Sequence, residues 1–263
     1  MNLSVIIVVS GDSLDRFTSA VAQNRVINRQ SVKPHEIIYV EHMVDNYRHY
    51  DKLPFDFNGV DCKYIPIRFD QHPSLFCVGW GRNVGIQQST GDTILLLDVD
   101  YIFDDNYFST IEDYNVTDAL VGWDKIYYLN NSYKVDFLKD DKFPVESERV
   151  KLNPGGEFGG AQIFNREWFD NNIYGYSEDI FNWGGDDTDV YLRAWTKVPR
   201  RMLNYTLYHF DHVVKYSPKM INLEVIKRNT VNVQDTFNKL RSVGIGKIDR
   251  PNQIYDDSVR WSL

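Results

Sequence analysis

Gly91-Asp92-Thr93-Ile94-Leu95-Leu96-Leu97-Asp98-Val99-Asp100 holds a turn, a wholly apolar strand and two carboxylates flanking one valine. A Gly-Asp pair feeding a short apolar run reads as a turn opening a strand buried on both faces. Such strands belong to α/β sheets, where ligands gather beyond the carboxyl ends of the strands. Asp98 and Asp100 stand at that end. Paired hard oxygen donors suit a divalent cation, which in turn neutralises a diphosphate.

Working outward, residues 4–9 form a second apolar, β-branched run with the look of a buried strand. Leu14, Phe17, Ala20, Val21 and Val26 follow at roughly helical spacing behind Gly11-Asp12-Ser13. Pro34 then breaks the chain before a strand at 36–40, and another strand is expected at 61–67. Residues 77–88 suit a glycine-interrupted helix. Strands and helices thus alternate, which predicts an α/β fold with a mostly parallel central sheet and flanking helices.

Beyond Asp100, strands are expected at 119–129, 161–164 and 201–210, and helical segments at 165–170, 186–195 and 221–240. The polar stretch 130–158, with Pro144 and Pro154, reads as a long excursion. The organisation expected is one catalytic domain over 1–215, with a nucleotide-binding part at 1–100 and an acceptor-binding part at 101–215. Residues 216–263 form a helical extension packed on it.

Composition narrows the classes. Apolar residues at 43% and charged residues at 25% are those of a folded globular chain. A net charge of -8 argues against a nucleic-acid footprint, which shows a basic patch or stripe. The 17 Tyr, 15 Phe and 6 Trp serve equally as core and as platforms for sugar or base rings, so position decides between the two uses. Cys62 and Cys77 make no disulfide framework. The first apolar run lacks a basic flank and a cleavage pattern, and no transmembrane stretch is present. A cytoplasmic protein is expected, and peripheral contact with a membrane stays open.

Two further clusters carry chemistry. Trp183-Gly184-Gly185-Asp186-Asp187-Thr188-Asp189 joins a ring, two turn-permitting glycines and adjacent carboxylates at a helix start. One carboxylate suffices as a cap, so the second is available as a general base. His209-Phe210-Asp211-His212 follows a strand that returns toward the same edge, and its imidazoles could complete a metal site.

The order of these motifs resembles glycosyltransferases of the GT-A (nucleotide-diphospho-sugar transferase) fold, in the family 2-like superfamily. The likeness is nearest to β-1,4-galactosyltransferases and chondroitin-polymerase-type catalytic domains. It rests on Gly81-Arg82-Asn83-Val84-Gly85-Ile86, then Gly91-Asp92 before Asp98-Val99-Asp100, then Phe158-Gly159-Gly160, and finally Phe181 through Asp189. The family's proline after the first strand is absent, and Asp186 stands where a glutamate is usual.

The resemblance implies an inverting enzyme that moves a hexose or N-acetylhexosamine from a nucleotide-diphospho-sugar, a UDP-sugar by preference, to a saccharide hydroxyl. It gives Asp187 the role of catalytic base, and Asp186, Trp183 and Gly185 contact with the acceptor. Val9, Glu41, Arg82, Asn83, Asp98, Val99, Glu157, Gly159 and Gly160 would surround the donor. Asp98, Asp100, His209 and His212 would hold Mn2+ or Mg2+. Glu157 departs from the residue that in galactosyltransferases helps select the donor sugar, so no sugar is named. The rival readings are a metal-dependent nucleotidyltransferase or phosphohydrolase, and a non-catalytic carbohydrate-binding protein. The first gives no reason for the Trp183–Asp189 series, and the second needs neither metal nor sugar nucleotide.

Overall fold

The apolar run behind Ser4 becomes β1 (Leu3–Ser10), every residue of which is buried. The structure is a computed structural model and describes residues 2–10, 14–43, 48–53, 56–68, 76–116, 120–142, 149–152, 159–181, 185–195, 201–210 and 212. In chain order the elements are β1, α1 (Leu14–Arg29), β2 (Glu36–His42), β3 (Asp61–Ile67), α2 (Val78–Gln88), β4 (Thr93–Leu97), β5 (Tyr101–Ile102) and α3 (Tyr107–Tyr114). They continue with β6 (Leu120–Leu129), α4 (Asn131–Asp140), β7 (Arg149–Leu152), β8 (Ala161–Asn165), α5 (Arg166–Asn172), α6 (Asp186–Trp195) and β9 (Arg201–Phe210).

The strands form one sheet in the order β3-β2-β1-β4-β8-β6-β9-β5, with β7 attached to β6. Its two halves differ in sense. In the first, β1 lies parallel to β2 and β4, and β2 parallel to β3. In the second, β8 runs against both β4 and β6, β5 against β9, and β7 against β6, while β6 and β9 are parallel.

The expected GT-A fold with a mostly parallel central sheet is therefore corrected. Among the described residues half of the strand pairings are antiparallel, and the reversal begins at β8 beside β4. Apolar patterning reports that a strand is buried but not which way it runs. A five-residue strand such as β8 holds no signal of direction.

Alternation along β1 feeds two cores. Leu3, Val5, Ile7 and Val9 face a layer with Ala20 and Val26 of α1, Phe108 of α3 and Phe137 of α4. Ile6 and Val8 face the opposite layer with Trp80 and Val84 of α2, Phe169 of α5 and Val190 of α6. A strand covered on both faces must be apolar at every position, which is why β1 and β4 read as continuous runs. Glycines bring α2 onto that strand: a Cβ at Gly81 would stand 2.6 Å from Val8 Cγ1, and one at Gly85 2.3 Å from Ile6 Cγ2.

Within the expected excursion at 130–158 the described residues form a helix and a strand. Asn130 caps α4 by accepting hydrogen bonds from the backbone N–H groups of Ser132 and Tyr133. The strand β7 follows it. The expected helix at 221–240, and the extension at 216–263 as a whole, lie outside the described residues. Among the described residues no helix is long and apolar enough to cross a membrane, and neither Cys62 nor Cys77 is in a disulfide.

Candidate active site

The end of β4 is fixed from three sides. The Asp98 backbone N–H donates to the Gly160 carbonyl at 2.8 Å, and the Phe210 N–H donates to the Asp100 carbonyl at 2.9 Å. Gln23 of α1 donates its amide to the carbonyls of Asp98 and Tyr101, each at 2.8 Å. The Asp98-Val99-Asp100 turn is thereby tied to α1, to the Gly159-Gly160 turn and to the end of β9. Gly160 sits at φ +86°, and a Cβ there would lie 2.2 Å from the Tyr101 ring. No other residue type fits that corner without displacing the ring.

The two carboxylates of the turn have different partners. Asp98 Oδ1 accepts from Arg82 Nη2 at 3.0 Å. The other guanidinium nitrogen, Nη1, donates to Asp186 Oδ2 at 2.5 Å and to Asp187 Oδ1 at 2.6 Å. Arg82 is buried, and its guanidinium also lies 5.1 Å from the centre of the Tyr176 ring. One cation on α2 thus gathers Asp98 from the end of β4 with Asp186 and Asp187 from the first turn of α6.

Three carboxylates on one buried guanidinium leave an excess of negative charge. Burial opposes the charge of Arg82, but Asp187, Asp186 and Asp98 hold its titration well above the ordinary range. Burial raises Asp186, and the neighbouring charge of Asp187 adds to this against the pull of Arg82. Asp98 is raised in the same way, first by burial, with Arg82 opposing and Asp187 and Asp100 adding to it.

Asp187 has a further contact. Gln162 of β8 donates its side-chain N–H to Asp187 Oδ1, and the Tyr176 hydroxyl donates to Gln162 Oε1. The opposite oxygen, Oδ2, lies 3.4 Å from where a Cβ on Gly159 would stand. The Gly159 carbonyl accepts from Trp123 Nε1 at 2.7 Å, which anchors that turn to β6.

Asp100 faces the other way. His212 Nε2 lies 3.0 Å from Asp100 Oδ2, and His209 Nε2 lies 3.8 Å from Oδ1. The pairing of β5 with β9 sets Tyr101 opposite His209, which brings the imidazole to the carboxylate. One ligand atom from each of Asp100, His209 and His212 falls within 4.8 Å of the others. Burial alone would raise Asp100; the facing His209 and His212 and the Arg16 guanidinium, 3.9 Å away, hold it well below the usual carboxylate range. A buried carboxylate between two imidazoles is a donor set that fits a divalent transition ion. Asp98, turned to Arg82, is not part of that group.

The remaining expected residues separate clearly. Val9 and Val99 are buried in the core beneath the site. Glu41 is buried at the end of β2, where its carboxylate accepts from the backbone N–H groups of His49 and Tyr50 and from the Tyr64 hydroxyl. Asn83 exchanges hydrogen bonds with the Tyr176 backbone and donates to Glu178 Oε1. With Arg193 donating to the carbonyls of Ile173 and Gly175, these bonds make residues 173–178 a fixed wall beside the site. Gly185, at φ +106°, accepts the first hydrogen bond of α6 from the Asp189 N–H at 2.8 Å. Trp183 and Glu157 lie outside the described residues.

Sequence reasoning missed Gln162, Tyr176 and Arg16. A signal existed only for Gln162, a polar residue inside the otherwise apolar Ala161-Gln162-Ile163-Phe164. Buried amides persist where both ends are bonded.

The fold is similar to that of S. aureus TarS. TarS 1-349 shares 13% identity over 80% of this chain and 60% of that chain, with a TM-score of 0.55. The complex of TarS 1-349 with UDP-GlcNAc gives 13% identity over 88% of this chain and 67% of that chain, with a TM-score of 0.60. Against the longer TarS structure the chain spans 40% of the length, at 14% identity and a TM-score of 0.57. At such identities the likeness is one of fold. Residues 144–212 match the family described as the N-terminal domain of galactosyltransferase. No curated protein matches the chain.

The expected nearest likeness, to galactosyltransferases and chondroitin polymerases, is corrected accordingly. The likeness over most of the chain is to TarS, and the galactosyltransferase match is confined to 144–212. The short motifs that carried that resemblance, spread from Gly81 to Asp189, mark turns and helix starts and do not report the sense of the strands between them.

Proposed function

We propose that this chain is a glycosyltransferase that moves a hexose or N-acetylhexosamine from a UDP-sugar to a saccharide hydroxyl with inversion. The observation that carries the reading is the placement of Asp187. Its carboxylate is held on one oxygen by Arg82 and Gln162, and the same Arg82 ties it to Asp98 at the end of β4. Similarity to a fold that elsewhere holds UDP-GlcNAc, and the galactosyltransferase match over the stretch that contains Asp187, support it.

In this reading the acceptor hydroxyl gives its proton to Asp187 as its oxygen attacks the anomeric carbon. The bond from that carbon to the diphosphate breaks on the opposite face, and the configuration inverts. Asp100, His209 and His212 would hold Mn2+ or Mg2+, and such an ion supplies charge neutralisation for a diphosphate. Asp186 and Gly185, at the start of α6 beside Asp187, would contact the acceptor. The surplus of carboxylates around Arg82 keeps the acceptor side negative, so the donor's diphosphate is directed toward the Asp100 side.

The test is UDP release from UDP-GlcNAc and UDP-galactose, with GDP-sugars as controls and p-nitrophenyl glycosides as acceptors, in the presence of manganese. Asp187→Asn is expected to lower kcat by roughly 10²–10⁴-fold with the fold intact. Transfer at near wild-type rate by a folded Asp187→Asn protein would remove Asp187 as base. Hydrolysis of nucleoside triphosphates without transfer to any acceptor would favour a phosphohydrolase instead.

A further inference from the structure

We propose that Gln162 is a positioning residue that decides which oxygen of Asp187 takes the acceptor's proton; this rests on the reading of Asp187 as base. Gln162 is 1% exposed and is the second residue of β8, paired with Leu96 of β4 in a strand that also pairs with β6. A buried primary amide is costly unless its groups are bonded. Here both ends are used, and the chemistry fixes which end faces which partner. An ionised carboxylate only accepts, so the amide N–H must face Asp187. The amide oxygen then faces Tyr176, whose hydroxyl must donate. Burial raises the titration of that hydroxyl well above its ordinary range, so it keeps its proton. The relay runs in one direction, from Tyr176 through Gln162 to Asp187 Oδ1.

Arg82 Nη1 donates to the same oxygen at 2.6 Å. Oδ1 is therefore engaged by two donors from two different elements, and Oδ2 is turned to the Gly159 side. Oδ2 becomes the proton-accepting atom. The base itself stands in the first turn of a helix, whereas Gln162 is built into the sheet beside β4, whose end carries Asp98. The amide thus ties a side chain at the start of α6 to the sheet, and sets the base in register with the end of β4.

The experiment is a double-mutant cycle on UDP release from UDP-GlcNAc with a p-nitrophenyl glycoside acceptor. Gln162→Leu keeps the side-chain volume and removes the relay. It is expected to lower kcat by about 10- to 100-fold while the donor KM stays within about twofold. In the Asp187→Asn background the same substitution is expected to cost nothing further, because the group it orients is gone. An equal loss in both backgrounds, or a parallel rise in donor KM, overturns the proposal in favour of a packing role. Where Gln162→Leu fails to fold, Tyr176→Phe carries the test. It frees the amide to rotate and is expected to give a smaller kcat loss that also vanishes in Asp187→Asn, whereas unchanged kcat overturns the proposal. If Asp187→Asn alone keeps full transfer, the base assignment fails and this inference with it. If Asp187→Asn loses transfer while Gln162→Leu does not, only this inference fails.

Discussion

Asp98 and Asp100 are separated by one residue and serve different partners. Past the end of β4 the chain turns, so the strand rule that places residues two apart on one side no longer governs. Asp98 meets a guanidinium from α2, and Asp100 meets imidazoles at the end of β9. In the sequence both take a metal role, with Asp100 as the more direct ligand, and no linear pattern shows that Arg82, 16 residues earlier, reaches Asp98. Their substitution should separate them. With manganese at a hundredfold excess over its dissociation constant, binding to the native state is worth about 2.7 kcal/mol, or roughly 5 °C in Tm for a chain of this size. Chelation is expected to remove that increment from the wild type and from Asp98→Asn, and to change nothing in Asp100→Ala, as read by thermal melts with manganese or with EDTA. A manganese-dependent increment that survives in Asp100→Ala would take the ion away from Asp100, His209 and His212.

At the scale of elements, the Gly159-Gly160 turn is the joint on which the site depends. It meets the Asp98 N–H, the Trp123 indole and the Tyr101 ring within two residues. Gly160→Ala places a methyl group 2.2 Å from a ring buried against His209 and forces a positive φ on a residue with a Cβ. A loss of about 2–3 kcal/mol in unfolding free energy is expected in urea titrations, whereas Gly159→Ala, with ordinary contact distances, should cost far less. Equal stability of Gly160→Ala and the wild type would contradict that geometry. The strength of the sequence reading also varies by element. β4, buried at every position, announced itself as an apolar run and falls at 93–97, and the largely half-buried β3 falls at 61–67, both where strands were expected. The helix α4 was missed because its surface is polar and its start depends on one capping asparagine, Asn130. The two-residue β5 has no pattern of its own; it exists because β9 arrives beside it.

At the scale of the whole molecule, two buried carboxylate sites push stability in opposite directions with pH. Glu36 joins the base of the parallel half: its carboxylate accepts from Lys63 of β3 at 2.6 Å, from Ser4 of β1 at 2.7 Å, and from Thr90 ahead of β4. Burial alone would raise it, but those donors carry it from its ordinary 4.5 down to about 2. The folded state therefore releases this proton more readily than the unfolded chain. The stability it contributes is complete above about pH 4.5 and is lost as pH falls toward 2. With Lys63 partly open to solvent the amount is about 2 kcal/mol. Asp186 has the opposite sign. Burial and the charge of Asp187 raise it, so the folded state holds a proton that the unfolded chain has released. Stability must then decline as pH rises from its ordinary 3.8 toward neutrality. The wild type is expected to be more stable at pH 5.5 than at pH 8, with a steep loss below pH 4. Glu36→Gln should shrink the acid limb, to which Asp100 also contributes, and leave the neutral slope, whereas Asp186→Asn should shrink the neutral slope, to which Asp98 also contributes, and leave the acid limb. Urea midpoints measured across that range read both limbs, and a neutral slope unchanged in Asp186→Asn would assign the surplus negative charge around Arg82 to another carboxylate.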